Sequence, residues 1–347
     1  METITFECEV ITPMFLAGAD GQKPELRPPS IKGAMRFWWR AMNGHMSIDV
    51  LREKEAAIFG GTGKNRDSSE QGKSSFSIRI KEDFPEDSIL SIKNKEYNDY
   101  INELKKYPGI SYLYYSVIAM NKREFFLDGK KAFFDLTVSK NDIPTDLIQT
   151  LLLVSLFGGF GSRSRRGAGN ILISTQNEKY KSMLDLSHIN TREELQKFII
   201  KSFDFKVSKN NSYSILKKSN LIIYTPQDNW KDALETIAFS FNAFRKKKES
   251  EITSTPNFGF PIQHRSSNTT MIAKKGREKI ERRSSPLIFR IVKTNDSTYF
   301  PIILWLKGDL IPDDYQIMDK FGRNTADPSN DIIQEFIDTL KFEEITL

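Results

Sequence analysis

Three arginines within four positions, Arg163, Arg165 and Arg166, stand in a stretch with glycine at 158, 159, 161, 167 and 169 and no acid between residues 157 and 170. Arginine forks match phosphate oxygens bidentately, and glycine lets a backbone come close to a ligand. Main-chain N–H groups in a glycine-rich nest favour anions. The chemistry this composition supports is a grip on a nucleic-acid backbone, with Gly159, Gly161, Arg163, Ser164, Arg165, Arg166 and Gly167 as contact residues. The plainer alternative is a solvated basic turn. Two phosphate-binding patterns are excluded. A dinucleotide fingerprint needs a third glycine where Ser164 follows Gly159 and Gly161, and the Gly-Lys-Ser/Thr of a Walker loop is missing from the stretch.

A second cationic element lies upstream. Lys32, Arg36 and Arg40 recur every four residues, which places them on one face of a helix. Trp39 flanks that row, and cations beside an indole suit a phosphate backbone with a stacked base. Ile31, Met35, Trp38 and Met42 form the apolar stripe that seats such a helix. Ser30, after Pro28 and Pro29, is the expected N-cap, with Arg27 just before it. The expectation is a single RNA site: Arg27, Ser30, Lys32, Arg36, Trp39 and Arg40 on one side, the glycine-arginine loop on the other.

Catalytic chemistry has little to work with. Metal-free RNA cleavage needs a base for the 2′-hydroxyl, commonly histidine. His45, His188 and His264 are the three candidates, and His264, next to Arg265, is the best placed. Asp20 sits in a glycine-rich loop, where an aspartate most often bonds its own turn. The sequence has no His-x-x-x-His pair, and its one cysteine, Cys8, excludes a disulfide framework and a cysteine zinc site. No catalytic residue, metal ligand or cofactor is assigned. A metal-independent endoribonuclease is the alternative function.

Behind these residues stand 347 residues with a net charge of +6. That length suggests two domains. No apolar run reaches the roughly 18 residues of a membrane-spanning helix, and residues 1–6 carry no signal-peptide pattern, so a cytoplasmic protein is expected. The positive charge is local: residues 265–290 hold eight basic residues against two acids, whereas the chain after Gly308 is acid-rich. A local basic patch is the footprint of a nucleic-acid partner.

The order of elements gives an α+β fold of two ferredoxin-like (RRM-like, βαββαβ) domains, at 1–185 and 186–347. In the first, strands are expected at 4–10, 76–80, 132–138 and 170–174, with helices from about 30 to 43 and 144 to 157. Residues 81–110 and 263–285 are expected as insertions outside the cores, the second of them mobile. Residues 112–120, aromatic and β-branched, read as an accessory strand. A helix is expected at 193–203 and another at 230–248. A hairpin is expected over 286–305, a last helix at 331–340 and a closing edge strand at 342–347.

These stretches also carry a resemblance. LRPPSIKGAMRFWWRA over 26–41 is similar to the signature helix of the first-numbered RAMP subunits of Cmr (type III-B) CRISPR effector complexes. GGFGSRSRRGAG over 158–169 resembles the glycine-rich loop of the RAMP superfamily in that subunit's form, and TPMFLAGAD over 12–20 its N-terminal strand and loop, with Ala17 where a glycine is expected. FGFPI over 258–262 carries the likeness into the second half. The resemblance implies two ferredoxin-like domains and a non-catalytic place in a multisubunit ribonucleoprotein, beside other Cmr RAMP subunits. It implies that the subunit helps hold guide RNA, near its 3′ end, and target RNA. Cleavage would then belong to other subunits.

Overall fold

The computed structural model describes all residues except 62–71, 140–141, 206–214, 217–220, 252–253, 265–268, 320, 323–324, 327–330 and 341–347. The first half runs β1 (Glu2–Val10), α1 (Pro28–Asn43), α2 (Ile48–Phe59), β2 (Phe76–Glu82), β3 (Ile89–Leu90), α3 (Lys95–Leu104), α4 (Pro108–Tyr115), β4 (Phe125–Phe126), β5 (Lys131–Val138), α5 (Thr145–Phe157) and β6 (Ile171–Ser174). Alternation in β1 buries Ile4, Phe6 and Cys8, and β5 meets them in register at Leu136, Phe134 and Ala132. The antiparallel sheet is ordered β2-β5-β1-β6, the strand order of a ferredoxin-like unit. The α+β expectation therefore holds, and the two central runs share one sheet.

One detail of α1 differs from the sequence reading. Its N-cap is Arg27, not Ser30; Pro28 and Pro29 occupy the first turn, where a missing N–H costs nothing. Its apolar stripe seats Trp38 at 3% exposure, edge-on to Phe37 and 5.8 Å from the Phe157 ring of α5. Trp38→Ala is expected to lower the stability of the chain by about 3–5 kcal/mol, the usual cost of emptying a tryptophan site. A urea midpoint unchanged from the parent would count against this packing.

The second half runs α6 (Glu178–Leu184), α7 (Arg192–Ser202), β7 (Leu221–Ile223), α8 (Trp230–Lys247), β8 (Ile262–His264), β9 (Thr269–Lys275), β10 (Glu278–Ile280), β11 (Leu287–Asn295), β12 (Thr298–Trp305), β13 (Gln316–Asp319), β14 (Thr325–Ala326) and α9 (Asp331–Thr339). A sheet ordered β11-β12-β7 repeats three strands of the ferredoxin-like order. The strand expected at 342–347 lies outside the described residues.

β11 is buried from Leu287 to Val292 because both its faces are covered. Ile288 and Val292 join the core cluster that contains α5; Leu287, Phe289 and Ile291 join the cluster of α8 and α9. For the same reason α5 is apolar all round: one side meets the first sheet and another meets β11.

Two expectations are corrected. Residues 81–110 are not outside the core: Tyr97, Ile101 and Leu104, spaced four and three apart, bury one face of α3 in the same cluster as α8. Residues 112–120 form no strand. Pro108 opens α4, and the chain continues from it into one π turn, Ser116–Met120. The helical spacing of Ile110, Leu113, Tyr114 and Val117, all buried, outweighs their strand propensity. The basic stretch after 262 forms strands at 269–275 and 278–280, where β9 carries β8 and β10 on one edge and β13 on the other. Met271 and Ala273 pack there with Ile317, Ile311 and Phe260, a small apolar alternation set among lysines.

Candidate nucleic-acid interface

The loop from α5 to β6 is laced to the chain that follows β1. Ser162 N donates to Phe15 O (2.9 Å), Gly169 N to Pro13 O (2.9 Å) and Phe160 N to Gly169 O (3.0 Å). The side chain of Asn170 donates to Thr12 Oγ1 (2.9 Å) and Gly167 O (2.7 Å). The loop's glycines let protein, rather than a ligand, come close. A Cβ on Gly161 (φ 83°) would lie 2.5 Å from Phe15 O, one on Gly159 2.7 Å from Arg290 Nη1, and one on Gly167 2.5 Å from Leu234 Cδ1. The expected open nest is thus filled by the fold itself.

The loop arginines divide by burial. Arg163, at the exposed tip, holds φ 64° and donates from Nε to Ser116 Oγ of the π turn (2.7 Å). A left-handed non-glycine residue is strained, and here the surrounding hydrogen bonds hold it. Arg165 donates to Ser285 O and lies 5.1 Å from the Phe37 ring centre; burial, with Arg283 nearby, lowers its guanidinium to about 10. Arg166 lies between Phe241 and Phe289, 4.9 and 5.4 Å from their centres, and burial lowers it to about 9. Both stay charged at neutral pH. Phe289 N donates to Arg165 O (3.2 Å), so the loop also pairs with the free edge of β11.

Arg290 is the functional-looking residue that sequence reading passed over. It points from β11 toward α5, is fully buried, and donates from Nη2 to Ser155 O (3.1 Å). A cation suits the negative end of a helix, and α5 ends two residues beyond that carbonyl. Its signal was legible as the one charge inside the apolar run from Leu287 to Val292.

The basic row of α1 does not meet the loop. Arg36 donates from Nη2 to Phe59 O (3.0 Å) and Gly60 O (2.7 Å), Arg36 and Arg40 both pair with Glu55, and Lys32 sits 5.0 Å over the Phe76 ring. Trp39 is 3% exposed and packs edge-on to Phe59, so the expected stacking face is absent. Arg27 stands 3.9 Å from Glu25. The loop-facing side of α1 carries Ser30, Ala34, Phe37 and Trp38, which line a cleft of about 360 Å³ with Gly158, Gly159, Gly161, Ser164 and Arg165. At 3.6 residues per turn the two faces lie on roughly opposite sides of the helix. The expected single site is therefore two separate surfaces.

A larger groove, about 930 Å³, opens on the other side of the loop, between α4, the last turns of α8 and residues 258–261 and 283–285. Arg163, Arg165, Arg166, Arg245, Lys246 and Arg283 line it against one acid, Glu249. Tyr112 and Tyr115, 39% and 40% exposed, line its α4 side. Sequence reading missed Arg245, Lys246, Arg283 and both tyrosines. Arg245 and Lys246 were legible as the basic last turn of a helix, but nothing local showed that this turn faces the loop.

Among the described residues, no three His, Cys, Asp or Glu side chains are grouped to hold a metal ion. His45 and His188 line neither cleft, and the side chain of His264 lies outside what is described. Asp20 accepts from Gln22 N and Lys23 N, and those bonds hold its carboxyl below the usual range. No helix among the described residues is long and apolar enough to cross a membrane.

The family model of the RAMP superfamily matches residues 7–171, from β1 through the whole glycine loop. The Cmr subunit Cmr1-2 of Pyrococcus furiosus is 31% identical over 189 residues, half of this chain and 96% of that protein. Cmr1-1 of the same organism is 28% identical over 332 residues, covering 89% of this chain and 88% of its own. The chain belongs to the Cmr1 family of RAMP proteins. Its fold is similar to the crystal structure of apo Cmr1 from Pyrococcus furiosus (TM-score 0.63, 24% identity, 90% of both chains). It is also similar to a chain in a cryo-EM structure of the type III-B Cmr-beta bound to cognate target RNA (TM-score 0.61, 11% identity, 98% of this chain and 99% of that one).

Proposed function

We propose that the chain is a non-catalytic RNA-binding subunit of a cytoplasmic type III-B Cmr ribonucleoprotein, and that it helps hold guide RNA near its 3′ end and target RNA beside other RAMP subunits. The observation that carries this reading is the groove with six cations, one acid and exposed aromatic rings on a RAMP fold. Phosphate contacts give affinity without sequence preference. The first contacts are assigned to Arg163, Arg245, Lys246 and Arg283. Arg165 and Arg166 shape the groove and add charge at its floor. The α1 surface with Lys32, Arg36 and Arg40 is a second basic face, separated from the groove, and Ser30 and Ser164 border the smaller cleft between them.

Binding is expected to depend on salt more than on sequence. Four to six neutralised phosphates on a single strand give a slope of log K against log salt of about −3 to −4. Fluorescence anisotropy with two unrelated strands of equal length measures it. A flat salt response, or a strong preference for one strand that persists at high salt, would sink the reading. The same RNA run on a denaturing gel, with and without EDTA, is expected to stay intact; specific cleavage would favour the endoribonuclease instead.

A further inference from the structure

We propose that Tyr112 and Tyr115 form a two-ring platform on which unpaired bases stack, so that the groove takes single-stranded RNA in preference to duplex. This deepens the groove's RNA-binding reading and rests on it. The two tyrosines are three residues apart on α4 and so are neighbours on one helix face. Both are well exposed, whereas the next residues round the helix, Leu113 and Tyr114, are buried.

The platform is rigid. Gly109 lets α4 approach α8 so closely that a Cβ there would lie 2.4 Å from Phe239 N. Glu235 of α8 accepts from Gly109 N and Ile110 N, each at 2.9 Å, which satisfies two of the free donors of the first turn of α4. The hydroxyl of Tyr114 donates to Gly167 O (2.7 Å), tying α4 to the arginine loop. Tyr112 rests 6.2 Å from the Phe241 ring, and Arg245 Nε donates to its hydroxyl (3.4 Å). Cations thus flank the two rings: Arg163 on the loop, Arg245 and Lys246 on α8.

A strand laid along those cations can turn its bases onto the rings, since every base has a π face. In a duplex the bases are already stacked inside, and only phosphates and sugars reach the protein. Rings in the groove therefore discriminate between the two, while the cations do not.

The test compares a single-stranded RNA, its duplex and an abasic ribose-phosphate strand of equal length, bound to the full chain across a salt series. The single strand is expected to bind about a hundredfold tighter than the abasic strand, the combined effect of two stacked bases. Tyr112→Ala with Tyr115→Ala is expected to remove that advantage and leave the abasic affinity and the salt slope unchanged; the paired Phe variant retains it. If the single strand binds strongly and salt-dependently, but no tighter than the abasic strand or no weaker to the alanine variant, the platform is overturned and the RNA-binding groove stands. If none of the strands binds with a salt dependence, the groove reading itself falls, and this inference with it. Thermal melting of both variants, expected within a few degrees of the parent, separates lost stacking from lost folding.

Discussion

Replacing Arg163, Arg245 and Lys246 together by alanine is expected to weaken single-stranded RNA binding about a hundredfold to a thousandfold at physiological salt. A charged hydrogen bond contributes about 1.5–3 kcal/mol when desolvated and less in an open groove. Three such losses at about 1–1.4 kcal/mol each give this range, at 1.4 kcal/mol per decade. The three come from two elements and meet only at the groove. Arg163 bonds within the first half, and Arg245 spans the halves only through one long, exposed bond to the Tyr112 hydroxyl (3.4 Å), so the melting temperature should fall little. Arg165→Ala and Arg166→Ala should differ in kind. Each removes a hydrogen bond to the second half, Arg166 also its contacts with the Phe241 and Phe289 rings there and Arg165 its contact with Phe37 of the first half, and stability should fall along with affinity. Full affinity in a folded triple variant would move the RNA elsewhere, the α1 face with Lys32 and Arg36 being the next place to look.

Gly169→Ala is expected to lower stability by about 3 kcal/mol or more. The residue holds φ 60°, and a Cβ would fall 2.0 Å from Phe160 O, which is backbone and cannot step aside. Left-handed geometry alone costs an L-residue about 1–2 kcal/mol. The enforced shift also breaks the Phe160 N to Gly169 O and Gly169 N to Pro13 O bonds, about 1 kcal/mol each. Gly129 supplies the control. It too has positive φ, 77°, yet a Cβ there meets nothing within 4 Å, so Gly129→Ala should show the backbone cost alone. Urea titration of both variants reads the difference; equal midpoints would mean the loop yields where the packing says it cannot.

The reach of sequence reasoning follows from how local each signal is. The first sheet was legible because Ile4, Phe6 and Cys8 alternate over a full strand, and a half-buried strand needs nothing else to declare itself. The arginine loop was legible as a cationic element for the same reason. What the loop faces was not. Gly159 and Gly167 look like permission for a ligand, yet the atoms they admit belong to Arg290 and Leu234, over 60 residues away in sequence. Lys32, Arg36 and Arg40 have ideal spacing for a phosphate-binding face, but Glu55 on the next helix reaches Arg36 and Arg40. Trp39 beside them is sealed under Phe59. α4 was misread because three tyrosines in a short span favour a strand by propensity, while its burial follows a helical period.

The pairing of Arg165 and Arg166 with Phe289 has a consequence for handling the protein. β11 is the outer strand of its sheet, and its middle is an apolar run. Bare outer strands of this kind recruit strands from other molecules. Here the loop lies along that margin and takes up the Phe289 N–H, while its guanidinium groups bring like charge to any second molecule approaching in the same way. A substitution that frees the loop would therefore announce itself first as turbidity on concentration, before any change in secondary structure, and added RNA should clear it.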